Sequence, residues 1–367
     1  MKMALAIMIG LVPALGALSS AYADYTYTTL DVRGSLHGTT DPRGIGDTGT
    51  IVGFYGVVSE SGGSQGFSLG NGIYTTPIYP GTGGASVTQA FGINDAGTIV
   101  GYYATSAKGG FHGFSLSNGV YTTLDVPGAV QTYPEGINNA GTIVGFYEDA
   151  KGGFHGFSLS NGVYTTLTYP GTGGALVTQA FGVNDAGTIV GLYYNASDVA
   201  QGFSLSNGIY TALDIPGLLY GTTGAFDINN EGTIVGFYED ARGGSQGFSL
   251  SDGIYTTLDV PGALCGTTGA FGISNEGGEY AAGTSSTNGF TQSNGAYTAL
   301  YPYPFPISEI PGISGEGTVV GSFASASGVG IGFPAPPSES SVPEPVTLLF
   351  LIPSLVGLAA IRRRFKK

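Results

Sequence analysis

Ala90-Phe-Gly-Ile-Asn-Asp-Ala-Gly-Thr-Ile-Val-Gly101, followed by Gly113-Phe-Ser-Leu-Ser-Asn-Gly-Val-Tyr-Thr-Thr-Leu-Asp-Val-Pro-Gly128, decides the fold, because most of the chain consists of copies of it. Gly-Thr-Ile-Val-Gly starts at Gly49, Gly97, Gly141, Gly187 and Gly232 and recurs as Gly317-Thr-Val-Val-Gly321, with a decayed copy at Gly277-Gly-Glu-Tyr-Ala-Ala-Gly283. The leading glycines are 48, 44, 46, 45, 45 and 40 residues apart. A period in the forties with strand-like content is the signature of a repeat architecture.

Each unit holds four short strand candidates. They are Tyr-Thr-Thr-Leu-Asp-Val with a Pro-Gly stop, Ala-Phe-Gly-Ile, Thr-Ile-Val-Gly-Tyr-Tyr after a tight turn, and Gly-Phe-Ser-Leu. Asn-Gly between the last of these and the next Tyr-Thr-Thr predicts a type I′ hairpin, since both residues tolerate positive φ. From Gly of Gly-Phe to Tyr of Tyr-Thr the offset is eight all six times, starting at Gly66, Gly113, Gly156, Gly202, Gly247 and Gly289. A hairpin fixes its own register and so tolerates no insertion. The segment from Gly-Thr-Ile-Val-Gly to Gly-Phe varies in length and is read as a surface loop.

The adjacent Ile and Val of the third strand put apolar groups on both faces, as in small sheets packed between two neighbours. No helix of useful length is predicted in the repeat region. The fold expected is therefore all-β: a repeat protein forming a seven-bladed β-propeller. Seven Tyr-Thr strands begin near Tyr27, Tyr74, Tyr121, Tyr164, Tyr210, Tyr255 and Tyr297; seven Gly-Phe strands begin at Gly66, Gly113, Gly156, Gly202, Gly247, Gly289 and Gly332. The first Tyr-Thr strand and the last Gly-Phe strand are left as edges unless they pair with each other and close the ring. An open β-solenoid is the alternative, and it would need capping units.

Composition agrees. Of 367 residues, 66 are glycine and 10% are charged, against about 25% in ordinary globular proteins, and the net charge is −14. Between Asp24 and Pro337 five Lys and Arg face 23 Asp and Glu, which argues against a nucleic-acid partner. The single cysteine, Cys265, excludes an internal disulfide framework.

The two ends read differently. Residues 1–23 form an expected signal peptide: Lys2, an apolar run from Ala4 to Ala17, then a small-x-small cleavage site at Ala21 and Ala23. The repeat domain is placed at 24–333 and a Pro/Ser linker at 334–341. Residues 342–367 hold Pro343-Glu344-Pro345, an apolar segment at 346–361 and the basic cluster from Arg362 to Lys367. At 1.5 Å per residue that apolar segment falls short of a hydrocarbon core of about 30 Å. This tail resembles the PEP-CTERM sorting signal of Gram-negative bacteria. The resemblance implies an exosortase-type partner, transient membrane anchoring, and export to the cell surface or an exopolysaccharide layer. A plain C-terminal membrane anchor is the alternative. Residues 25–333 resemble the HAF repeats of extracellular bacterial proteins, departing from them at His112-Gly-Phe and His155-Gly-Phe, and that likeness implies no activity.

For chemistry, repetition is a filter, because a catalytic site is needed once. Asp31, Asp125, Asp214 and Asp259 recur at one strand end and are expected to bond backbone in the Pro-Gly turn. Asn94, Asn138, Asn184 and Asn229 precede a tight turn and fit an Asx cap. Glu148-Asp149 and Glu239-Asp240 are loop acids, with weak Ca²⁺ binding the alternative to solvation. His37, His112 and His155 are the only histidines, and the last two belong to separate units. Unrepeated features are the candidates for a site: the short sixth unit, Lys108 and the loop Tyr301-Pro-Tyr-Pro-Phe-Pro306. No catalytic, cofactor-binding or metal-ligating residue is singled out. The reading is an exported, matrix-associated, non-catalytic protein that is structural or binds glycan or protein. The alternative is an extracellular glycan-acting enzyme, which channel-facing acids from unrepeated positions would favour.

Overall fold

The structure, a computed structural model, describes residues 25–30, 32, 35–57, 63–76, 87–104, 110–170, 177–215, 221–240, 242–258, 260, 268–275, 281–285, 288–293, 295–300, 306–324 and 330–338. The signal and tail, with Ala21, Ala23, Pro343, Glu344 and Pro345, lie outside the described residues, as do Cys265, Asp31, Asp259, Lys108 and residues 301–305.

The chain is an all-β repeat protein folded as a β-propeller. A typical sheet runs, from inside outward, Thr178–Val183, Ile189–Tyr194, Ala200–Ser206 and Ile209–Ala212, every neighbour antiparallel. The Ala-Phe-Gly-Ile segment is thus the innermost strand, and each Tyr-Thr strand is the outer edge of the sheet begun before it. The Asn-Gly turns adopt the expected geometry: Asn118 and Gly119 have φ of 50° and 77°, and Asn161 and Gly162 have 51° and 76°.

Seven equal sheets are not what the structure contains. Among the described residues there are four four-stranded sheets, one eight-stranded sheet and one three-stranded sheet. The first two repeats merge because Ser64, on the third strand of the first, pairs in parallel with Val87 on the inner strand of the second. The last sheet has three regular strands, Ile307–Ile313, Val319–Ala324 and Gly330–Ala335. Alongside it run residues 25–30, where the N–H groups of Thr26, Thr28 and Leu30 donate to the carbonyls of Pro336, Pro334 and Gly332 at 3.2, 3.2 and 2.8 Å.

The core lies between sheets. Each cluster joins the Phe of one Gly-Phe strand to an apolar residue from the middle of the preceding unit: Val100 with Phe157, Val144 with Phe203, Val190 with Phe248. Val320, near the end of the repeats, packs in the same way against Phe67 near their start. These phenylalanines are essentially inaccessible, and fully burying such a side chain contributes about 1.5–3 kcal/mol.

Candidate functional site: the central channel

Every inner strand carries a β-bulge at the same place. The register skips Arg43, Phe91, Glu135, Phe181, Phe226 and Phe271, and in the last strand it skips Ile310 and Pro311. A bulged residue is unpaired and its side chain is re-aimed out of the pleat. Here all the bulge residues but Ile310, which is buried in the core, line one central cavity of about 220 Å³. Neighbouring rings follow one another around it, Phe181 to Phe226 at 5.5 Å and Phe226 to Phe271 at 5.2 Å.

The residue after each bulge is glycine in six of seven strands, and packing explains it. A Cβ on Gly44 would meet the Phe91 carbonyl oxygen at 2.6 Å, and one on Gly136 would meet that of Phe181 at 2.5 Å. The seventh is Asp227. Its Oδ2 accepts from the Ile273 N–H of the next sheet at 3.0 Å, and its Oδ1 accepts from Ile228 N–H at 2.9 Å.

Two bulge residues are charged. The Arg43 Nη1 donates to Glu309 at 2.8 Å and its Nη2 to Asp41 at 2.7 Å, while the guanidinium lies 5.4 Å from the Phe54 ring centre and 5.9 Å from that of Phe91. Burial alone would lower the Arg43 pKa, but the two carboxylates beside it hold it above its usual value. Glu135 is different, for none of the described residues hydrogen-bonds its carboxyl group. Crowding by protein around the narrow channel pushes that carboxyl up to about 8, against the pull of Arg43. The same loss of water raises Asp227 to about 6, against its two backbone bonds.

On one side of the ring lies an aromatic cluster. Tyr102 stacks on Phe91 at 5.2 Å and meets Phe111 and Tyr133 edge-on or nearly so at 5.0 and 5.3 Å. The Tyr102 hydroxyl donates to Gln89 at 2.5 Å, and Tyr133 donates to Gln131 at 2.9 Å, whose amide in turn donates to Glu148. Burial first, then Glu135 and Tyr133, push Tyr102 up to about 12, so it stays a neutral donor.

On the other side is a polar mouth. Asn94, Asn138 and Asn184 are buried, and each does two jobs. The Oδ1 accepts the N–H four residues on, and the Nδ2 donates to the carbonyl of the equivalent Asn in the next unit, at 3.1, 2.8 and 3.0 Å. The expected cap is present, with a link between units that sequence reasoning missed. The next residues, Asp95, Asn139, Asp185 and Asn230, form an exposed hydrogen-bonded chain around the rim.

Other expected residues lie elsewhere. Asp125 pairs with His112 at 2.9 Å, and it is the Thr132 hydroxyl that bonds the turn backbone, at Val126 N–H, so the turn-capping role expected of Asp125 does not hold. Asp149 accepts from the N–H groups of Lys151 and Gly153 and pairs with His155 at 3.0 Å. Asp240 accepts from Arg242 and Gly244 N–H. Loop backbone thus occupies these carboxylates. Arg43, Glu135 and Asp227 were not singled out in the sequence, although each is a visible departure from the repeated Phe-Gly pair.

No protein-family model and no curated protein sequence matches the chain. Among solved structures it is similar to a prolyl endopeptidase, at a TM-score of 0.54 and 11% identity over 79% of this chain and 47% of that one, so it spans about half the endopeptidase's length. It is also similar to a puromycin-hydrolysing peptidase of Mycobacterium tuberculosis, at 0.53 and 11% over 87% of this chain and 55% of that one. YCF48 bound to D1 peptide matches at 0.52 and 10% over 88% of this chain and 98% of that one. At these identities the likeness is one of fold.

Proposed function

We propose that this is an exported, non-catalytic binding propeller of the cell surface or exopolysaccharide layer, with its ligand site in the central channel. The observation that carries this reading is the bulge ring, which turns one side chain per unit toward the axis and places Arg43 and Glu135 there once each. Repeated side chains build the walls, and unrepeated ones supply identity. The Tyr102, Tyr133, Gln89 and Gln131 cluster beside the ring offers aromatic faces and polar tips, the combination that suits sugars.

Glu135 favours a second reading, a glycan-acting enzyme, because a carboxylic acid near 8 can donate a proton around neutrality. Glycoside hydrolysis ordinarily needs a second carboxyl group free to act. Asp41 and Glu309 are engaged by Arg43, and both Asp227 oxygens accept backbone N–H groups. Asp47, Asp95 and Asp185 on the same cavity each accept a hydrogen bond, from Gly315, Asn139 and Asn139 respectively. Binding is therefore the stronger reading. A glycan array, run with chromogenic glycosides on the same purified protein, tests it. Saturable binding without product is expected, and turnover without saturable binding would overturn it.

Seven repeated units are proposed to close into one ring, the eight-stranded sheet counting as two of them. Support comes from the bridge between Tyr25 and Pro337 and from Val320 in the core around Phe67. Export is proposed through cleavage after Ala23 and exosortase-type processing at Pro343-Glu344-Pro345. The mature protein would begin at Asp24 and end near Pro345. Intact mass of the extracellular species reads this directly, and a species ending at Lys367 would leave a plain membrane anchor.

A further inference from the structure

The strongest unused group in the molecule is the Glu135 carboxyl. Asp227 occupies the same channel but is satisfied by backbone, and Arg43 is neutralised by two carboxylates, leaving that triad with an excess of negative charge. The Arg43 charge is therefore compensated, although its buried Nε makes no hydrogen bond among the described residues, and the site as a whole does not favour an anionic ligand. Acids outnumber bases along the whole path, with Asp47, Asp95 and Asp185 also lining the cavity. Clefts of one sign with low-dielectric walls concentrate ions of the opposite sign.

The surroundings of Glu135 are aromatic. Phe91 stacks on Tyr102, and Tyr102 meets Tyr133, two residues before Glu135 on the same strand. Ring faces beside a carboxylate recognise a cation, by contact with the π-system and by ion pairing. The cavity, about 220 Å³, is smaller than the roughly 300–1,000 Å³ that holds drug-sized molecules. It has room for one small residue of a longer ligand. Its lining also holds the Phe181, Phe226 and Phe271 rings beside amide, carboxylate and backbone groups, and ring faces next to polar tips suit the face and hydroxyls of a sugar better than an aliphatic stem.

We infer that the channel binds a sugar residue carrying a free primary ammonium group, with Glu135 as its counter-ion and the Phe91 ring, backed by Tyr102, as part of its wall. This rests on the channel-binding reading above and specifies its ligand class. The charged and titratable groups around Glu135 are Arg43 and Asp41 on the first inner strand, Glu309 on the last, Tyr102 and Tyr133, with Glu148 next to Tyr133 and Asp227 on the same cavity. An arriving ammonium would draw the Glu135 proton off into solvent, so binding releases a proton wherever the amine is itself charged, and it weakens again as rising pH takes the proton off the amine.

Calorimetric titration of the full-length protein with glucosamine oligomers, their N-acetylated counterparts and a lysine-containing peptide tests this, in two buffers of different ionisation enthalpy. The expected result is that the free-amine oligomers bind with proton release, that acetylation weakens binding at least tenfold, and that Glu135→Gln does the same at an unchanged or higher melting temperature. Glu135→Asp should keep part of the affinity. Equal binding of acetylated oligomers, or an indifferent Glu135→Gln, would overturn the ammonium site and leave channel glycan binding standing. Binding of the lysine peptide alone would overturn the sugar assignment. Binding of neither sugar class would overturn both.

Discussion

Asp227 accepts the Ile273 N–H at 3.0 Å from the one inner-strand position where the six other units carry glycine. A side chain there has no room to point anywhere but toward the neighbouring strand, so the carboxyl replaces a close backbone approach with a hydrogen bond between units. Its burial makes it a pH sensor of stability, and Glu135 is another.

Both carboxyls hold their protons more tightly folded than unfolded, at about 6 for Asp227 and about 8 for Glu135. The stabilisation linked to them is complete below the unfolded values near 4 and is lost as pH rises through 6 and then 8. Both groups keep some surface toward the channel, where water screens their charge, so the effect is on the order of 1–2 kcal/mol each. Thermal melts from pH 4.5 to 8.5 should show a falling melting temperature. Glu135→Gln should flatten the upper part of that fall and Asp227→Asn the lower part. A melting temperature that rises across this window would contradict the assignment.

Asn138 and Asn139 are adjacent but unequal. Asn138 is buried, donates to Asn184 O at 2.8 Å and accepts from Thr142 N–H at 2.8 Å, whereas Asn139 lies on the exposed rim. Asn138→Ala leaves the Thr142 N–H unpaired and the Asn184 carbonyl with only the Gly187 N–H, and should cost about 1–2 kcal/mol, while Asn139→Ala should cost under about 1 kcal/mol. Urea denaturation of the two variants compares them, and equal losses would mean that the buried belt does not link the units.

Deleting residues 25–32 removes the N–H groups that bond Pro336, Pro334 and Gly332, and takes Leu30 and Val32 out of the Phe67 core. The strand Gly330–Ala335 would become an open edge, which invites association. A lower melting temperature or concentration-dependent oligomers, seen by light scattering, are expected. An unchanged monomer with an unchanged melting temperature would mean that the ends do not hold the ring together.

Much of this fold was legible in the repeats. The fixed eight-residue offset around Asn118-Gly119 set the outer hairpin, and the double-faced Ile99-Val100 strand set the burial between sheets. What could not be read was why the closing glycine of Gly-Thr-Ile-Val-Gly recurs. A Cβ on Gly101 would lie 2.0 Å from the Gln89 carbonyl oxygen, a contact made by the bulge in the neighbouring strand. Bulges leave no mark in hydrophobic periodicity, and so the channel ring stayed hidden. Arg43 and Glu135 were visible as substitutions for Phe91, but their convergence depends on which strand is innermost. The merging of the first two sheets rests on a single parallel pair, Ser64 with Val87, below what sequence pattern resolves.

The central claim is that function resides in a site built once, on the axis, rather than in the repeated surfaces. Stoichiometry measured by titration calorimetry with whichever glycan the array identifies tests it most directly. The channel site predicts one ligand per chain, lost on Glu135→Gln. Several equivalent ligands per chain, insensitive to that change, would place binding between the units and contradict the account.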